Sequence, residues 1–99
     1  MTDAPDHDAG GIGAQVPRFR RGVRLRFDET RACWILLAPE RAFMPDEIGA
    51  EILQLVDGTR TVREIAQTLA RRFAAPLDVV LADVSTVLAD LAARGAMEA

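Results

Sequence analysis

The side chains able to do covalent or proton-transfer chemistry are few in this 99-residue chain, and they stand apart. There is one histidine, His7, one cysteine, Cys33, and one serine, Ser85. A nucleophile needs a base within hydrogen-bond reach and a third group to orient that base. His7 falls in a polar N-terminal stretch, Cys33 heads an apolar run, and Ser85 sits inside a helical apolar repeat, so no pair of them suggests a catalytic unit. Cys33 reads as a small packed residue. A single cysteine excludes an internal disulfide and any multi-cysteine metal site. All twelve basic residues are arginine, which rules out a Schiff-base lysine and a phosphate-loop lysine. The acids fall at turns and helix starts, where capping and solvation account for them. The expectation is a protein that is not an enzyme and holds no cofactor and no metal, leaving binding as its chemistry.

Composition bounds what it binds. Half the residues are hydrophobic (49%), which indicates one small globular domain. A net charge of −3 gives no general attraction to nucleic acid or to acidic membranes. No apolar run approaches the roughly 18 residues of a membrane helix, and the first residues lack the apolar core of a signal peptide. A cytoplasmic location is expected. Residues 1–16, with Gly10-Gly11-Ile12-Gly13 and no apolar periodicity, read as a flexible tail or linker, and residues 17–99 as the domain.

Three strands are expected to open the domain. Val23, Leu25 and Phe27 alternate with Arg24, Arg26 and Asp28, the period of a half-buried strand. Arg18, Arg20, Arg24 and Arg26 then belong to a wet face, which is either simply solvated or docks an acidic partner. Asp28-Glu29-Thr30-Arg31 reads as a hairpin turn, and Cys33–Ala38 as the central strand. Trp34 is left open between core and partly exposed contact. Pro39 interrupts the pairing, and Arg41-Ala42-Phe43-Met44, fenced by Pro39 and Pro45, reads as a short edge strand with backbone groups free for another chain.

Three helices follow. Pro45-Asp46-Glu47 opens the first, with Ile48, Ile52, Leu53, Leu55 and Val56 on its apolar face. Asp57-Gly58 stops it, with Gly58 assigned the left-handed position after the helix. Thr61-Val62-Arg63-Glu64 is a Thr-x-x-Glu capping box that starts the second, whose stripe is Val62, Ile65, Ala66, Leu69 and Phe73. The third begins near Pro76, carries Val80, Leu81, Val84, Val87, Leu88 and Leu91 at helical spacing, and closes at Gly95. Its polar side bears Asp78, Asp83 and Asp90. The fold class expected is α+β, a three-stranded antiparallel sheet followed by three helices around a helix–turn–helix corner.

Two binding modes fit that order. A winged-helix DNA binder would use Arg63, Gln67, Arg71 and Arg72 after the corner, although three aspartates on the third helix repel phosphate. A peptide binder would pair an incoming strand with the edge and hold its side chains against an apolar helix face. The proline-fenced edge and the negative charge favour the peptide.

Three segments carry a resemblance. Trp34-Ile35-Leu36-Leu37-Ala38-Pro39-Glu40-Arg41, then Asp57-Gly58-x-Arg60-Thr61-Val62-x-x-Ile65, then Asp83-Val84 with Leu88-x-x-Leu91-x-x-x-Gly95 resemble the PqqD family of pyrroloquinoline quinone (PQQ) biosynthesis, over about residues 17–97. The resemblance implies a chaperone that binds the precursor peptide PqqA and presents it to the radical SAM enzyme PqqE, which joins a glutamate to a tyrosine of the peptide. It implies that the peptide adds a strand beside Arg41, Ala42, Phe43 and Met44 and packs against Val80, Asp83, Val84, Val87 and Leu91. The arginine face of the first strand would meet PqqE. Some members are fused behind PqqC, and residues 1–16 would then be such a linker. Two departures stand out: Thr30-Arg31-Ala32-Cys33 where the family often has glycine, and Met44-Pro45-Asp46 in place of a Leu-Asn type of lead into the first helix.

Overall fold

The computed structural model describes residues 12–98. His7 and the tail up to residue 11 lie outside the described residues. Strand β1 is Arg24–Asp28, β2 is Cys33–Ala38 and β3 is Arg41–Phe43; helix α1 is Glu47–Gln54, α2 is Val62–Phe73 and α3 is Leu77–Ala93. The sheet is antiparallel in the order β1-β2-β3, so β3 is an edge strand. Register places Leu25 opposite Leu36 and Phe27 opposite Trp34, while Leu36 faces Phe43 on the other side. Since side chains alternate across a strand, these residues share the face turned to the helices, and Arg24, Arg26, Ile35, Leu37 and Ala42 share the outer one.

The core is where the inner sheet face meets the helices. Leu36, Ile52, Leu53, Ile65 and Val84 are its largest fully buried side chains. Leu36 alone of β2 is buried, because the outer face of the sheet is uncovered and leaves Ile35 and Leu37 half-buried. Two residues of the expected stripes are in fact exposed. Ile48 and Phe73 begin and end their helices beyond the reach of the opposing layer, and α1 turns Gly49 and Ala50 inward instead.

The helix ends follow their sequence signals closely. Asp46 is the N-cap of α1, its carboxylate accepting the Gly49 N–H at 2.7 Å, so Pro45 lies just outside the helix. The capping box is complete: the Glu64 N–H donates to Thr61 Oγ1 at 3.0 Å, and the Thr61 N–H to Glu64 Oε1 at 2.8 Å. Gly58 is left-handed (φ 81°), but α1 already ends at Leu55, so the glycine shapes the connecting turn rather than the helix terminus. Gly95 (φ 85°) does terminate α3, with the Ala96 N–H donating to the Leu91 carbonyl and the Gly95 N–H to that of Ala92.

The domain begins earlier than residue 17. Residues Ile12–Ala14 form a short 3-10 turn packed on α2, with Gly13 and Pro17 buried. The Gln15 carbonyl accepts the Val62 N–H at 2.8 Å, satisfying a donor that the start of α2 would otherwise leave bare. Residues 12–16, expected in the tail, therefore belong to the folded domain. At the other end, Met97 pairs with Phe19, and the Glu98 N–H donates to the Arg18 carbonyl at 2.9 Å.

Candidate functional site

The site is built on the edge strand. The Pro39-Glu40 turn returns the chain beside β2 for three residues, and Pro45, lacking an N–H, ends the ladder. Among the described residues no strand pairs with the outer side of β3, so half of its N–H and C=O groups face away from the sheet. Helix α3 passes beside it. Between them lies a groove of about 360 Å³ lined by Ala42, Phe43, Met44, Pro45, Asp46, Gly49, Val87, Asp90, Leu91 and Arg94. Its floor is apolar: Leu91 belongs to the core, and Phe43 and Val87 pack against it with part of each surface outward. Met44 is 57% exposed and forms the outer lip.

Arg41 closes one end of this groove. Its guanidinium donates to the Arg94 carbonyl, which caps α3, and lies 5.0 Å from the centre of the Phe43 ring. A cation at a helix C-terminus and a cation over an aromatic face are both favourable placements, so one side chain ties β3 to the end of α3. Asp90 and Arg94 pair at 3.1 Å along the opposite wall. Asp46 marks the far end, its carboxylate committed to the α1 cap.

The structure brings together Ala42, Phe43, Met44, Val87 and Leu91 of the expected site. Arg41 is placed at the end of the groove rather than along it. Val84 is corrected: it has 0% exposure and is a core residue, because it points between sheet and helices while Val87, nearly one turn on, reaches the groove. Val80 and Asp83 stand on earlier turns of α3 and do not line the groove; Val80 packs against the core and Asp83 is exposed. Sequence reasoning missed Asp46, Gly49, Asp90 and Arg94 as wall residues. The i, i+4 spacing of Asp90 and Arg94 was the available signal.

The arginine surface divides in two. Arg24 and Arg26 flank the half-buried Ile35 and Leu37 on the outer sheet face. Arg18 and Arg20 lie on the segment that joins the C-terminal residues, and the Arg18 guanidinium lies against the corner at Gly58. At that corner the N–H groups of Arg60 and Thr59 donate to the Asp57 carboxylate and hold its pKa down to about 2. Acids intermix with the bases: Arg60 pairs with Asp57 at 3.1 Å at the corner, and Arg72, in the last turn of α2, with Glu51 of α1 at 2.6 Å. Ser85 donates its hydroxyl to the Leu81 carbonyl at 2.7 Å. Among the described residues no helix is long and apolar enough to cross a membrane, and no group of three or more His, Cys, Asp or Glu could hold a metal.

An open edge strand beside an apolar helix face, in a sheet of three strands followed by three helices, defines a small α+β module with one exposed strand edge. The model of the family described as coenzyme PQQ synthesis protein D (PqqD) matches residues 33–96. A PqqA binding protein of Bradyrhizobium diazoefficiens is 46% identical over 82 residues, covering 83% of this chain and 80% of that one. The bifunctional coenzyme PQQ synthesis protein C/D of Methylorubrum extorquens is 48% identical over 86 residues, 87% of this chain but 23% of that longer protein. The solution NMR structure of the PqqD truncation of Methylobacterium extorquens PqqCD, described as a functional, stand-alone recognition element for ribosomally synthesized and post-translationally modified peptides, superposes with a TM-score of 0.77 at 47% identity, covering 88% of this chain and 93% of that one. The chain belongs to the PqqD family.

Proposed function

We propose that this protein is a cytoplasmic, non-catalytic adaptor that binds the precursor peptide PqqA by strand addition at β3 and presents it to the radical SAM enzyme PqqE. The observation that carries the reading is the groove itself, an unpaired strand edge whose Phe43 lies partly exposed beside Val87 of α3. A three-residue strand offers only about three ladder bonds, each worth about 1 kcal/mol net. Micromolar affinity requires about 8 kcal/mol, so apolar contact in the groove must supply most of the binding. Arg41, Ala42, Phe43, Met44, Val87 and Leu91 form the peptide site in this reading, with Val80 and Asp83 at its margin. Arg24 and Arg26 with Ile35 and Leu37 form the surface for PqqE, and Arg18 and Arg20 extend it toward the corner.

DNA binding is disfavoured by the corner, where Asp57 and Glu64 stand among Arg60 and Arg71. The test is a titration of isotope-labelled protein with the cognate precursor peptide and, separately, a short DNA duplex, followed by NMR. Amide shifts centred on Ala42–Met44 and Val87–Arg94 with peptide, and none with DNA, are expected. Shifts around Arg60–Arg72 with DNA and none with peptide overturn the adaptor reading. Reversing Arg24 and Arg26 to Glu is expected to weaken PqqE binding and spare peptide binding; equal loss of both refutes that division.

A further inference from the structure

The groove does not stop where β3 stops. Beyond Pro45 a second cleft of about 400 Å³ opens between the β1–β2 hairpin and α1, with Phe27, Trp34, Pro45, Asp46 and Ala50 among its walls. Pro45 and Asp46 line both cavities and form the ridge between them. The register explains the juxtaposition. Phe43 sits opposite Leu36, and Trp34 lies two residues along β2 on the same face. Continuing the pairing would set Pro45 beside Trp34, but proline cannot extend the ladder, and the chain turns into the α1 cap instead. The edge ends and the cleft begins at the same residue.

This cleft has the chemistry of an uncompleted contact. Phe27 and Trp34 meet edge-on at 5.3 Å, yet Phe27 remains 43% exposed. Met44 lies on the near side in the groove, and Pro45 is shared by both cavities, so apolar surface approaches the ridge from either side. We propose that the Trp34–Ala50 cleft is a second side-chain subsite for the same bound peptide, taking an apolar or aromatic residue from the stretch that runs past the Pro45 end of β3. The inference rests on strand addition at β3. Alternate side chains of an extended peptide point the same way, so the residue in the cleft is two or four positions from the one seated on Phe43. Asp46, Glu47 and Glu51 line the cleft, among the described residues only Glu51 of the three is paired with an arginine (Arg72), and no arginine lines the cleft itself, so an acidic residue is selected against at that position.

The experiment follows the indole N–H of Trp34, the one tryptophan, during titration of the labelled full chain with synthetic precursor peptide. The indole signal and the Ala50 amide are expected to shift with the same midpoint as Val87 and Asp90. Phe27→Ala is expected to weaken binding about tenfold, about 1.4 kcal/mol, and Phe27→Leu to bind within about twofold of the parent. Shifts at Val87 and Asp90 with a silent Trp34, or undiminished binding by a folded Phe27→Ala, overturn the second subsite and leave strand addition standing. Silence at both places overturns the two together. The indole reading on the unaltered protein decides the matter even where a variant fails to fold.

Discussion

Replacing Arg41 by alanine tests how the groove is held in shape. The substitution removes the donor to the Arg94 carbonyl and the cation lying 5.0 Å from the Phe43 ring. Both interactions are solvent-exposed. A cation at a helix C-terminus contributes about 0.3–1 kcal/mol, and an exposed cation–aromatic contact about 0.5–1 kcal/mol. Together they amount to about 1–2 kcal/mol, which for a domain of this size lowers the melting midpoint by roughly 4–16 °C. Thermal unfolding followed by circular dichroism measures it directly. Arg41→Lys keeps a charge but loses the planar stacking, so its midpoint is expected between the other two. Peptide affinity is expected to fall in the same order, since β3 and α3 are no longer tied at one end. A melting midpoint for Arg41→Ala within about 1–2 °C of the parent, well short of that range, would refute the claim that this side chain joins strand to helix.

Other expectations separate core from groove. Val84→Asp places a carboxylate in a fully enclosed position and is expected to cost on the order of 4 kcal/mol, unfolding much of the population by circular dichroism. Val87→Asp, nearly one turn later and half-buried, is expected to melt cooperatively near the parent yet bind peptide at least about tenfold more weakly by calorimetry. Thr61→Ala opens the capping box and is expected to lose about 1 kcal/mol in urea unfolding. Because the folded protein holds Asp57 down to about 2 from 3.8, its contribution is full above about pH 4 and disappears as pH falls through about 2. Asp57→Asn is therefore expected to be less stable than the parent at pH 6, with the gap closing by pH 2 in paired urea titrations.

Much of this architecture was legible because its signals are local. The Thr61–Glu64 box, the Gly95 stop, the hairpin and the proline-fenced edge each depend on a few adjacent residues, and each stands where it was expected. What the chain did not disclose is rotation. Val84 and Val87 lie only about 60° apart around a helix, so periodicity marks both as apolar without saying which one the sheet covers. The same ambiguity put Ile48 and Phe73 inside, while Trp34 was undecided because the unbroken apolar run Cys33–Ala38 shows no alternation that would assign its face. The docking of residues 12–16 gave no signal, since it depends on a short turn with buried Gly13 packing on a distant helix and on one backbone carbonyl, that of Gln15, meeting the start of that helix. Long-range backbone pairing has no residue code.

The bridge between Phe19 and Met97 brings the two ends of the domain side by side. Folding is complete only when the last residues return to the segment before the first strand, a closure of nearly maximal sequence separation that slows the search relative to a bundle of local hairpins. Adjacent ends also make the module portable. A short linker from Glu98 back to the region of Ile12–Val16, with new ends opened in the exposed Glu29–Arg31 turn, should yield a circular permutant with the groove intact. Grafted into a surface loop of an enzyme, the same domain would enter and leave through one narrow neck, carrying its β3 edge outward.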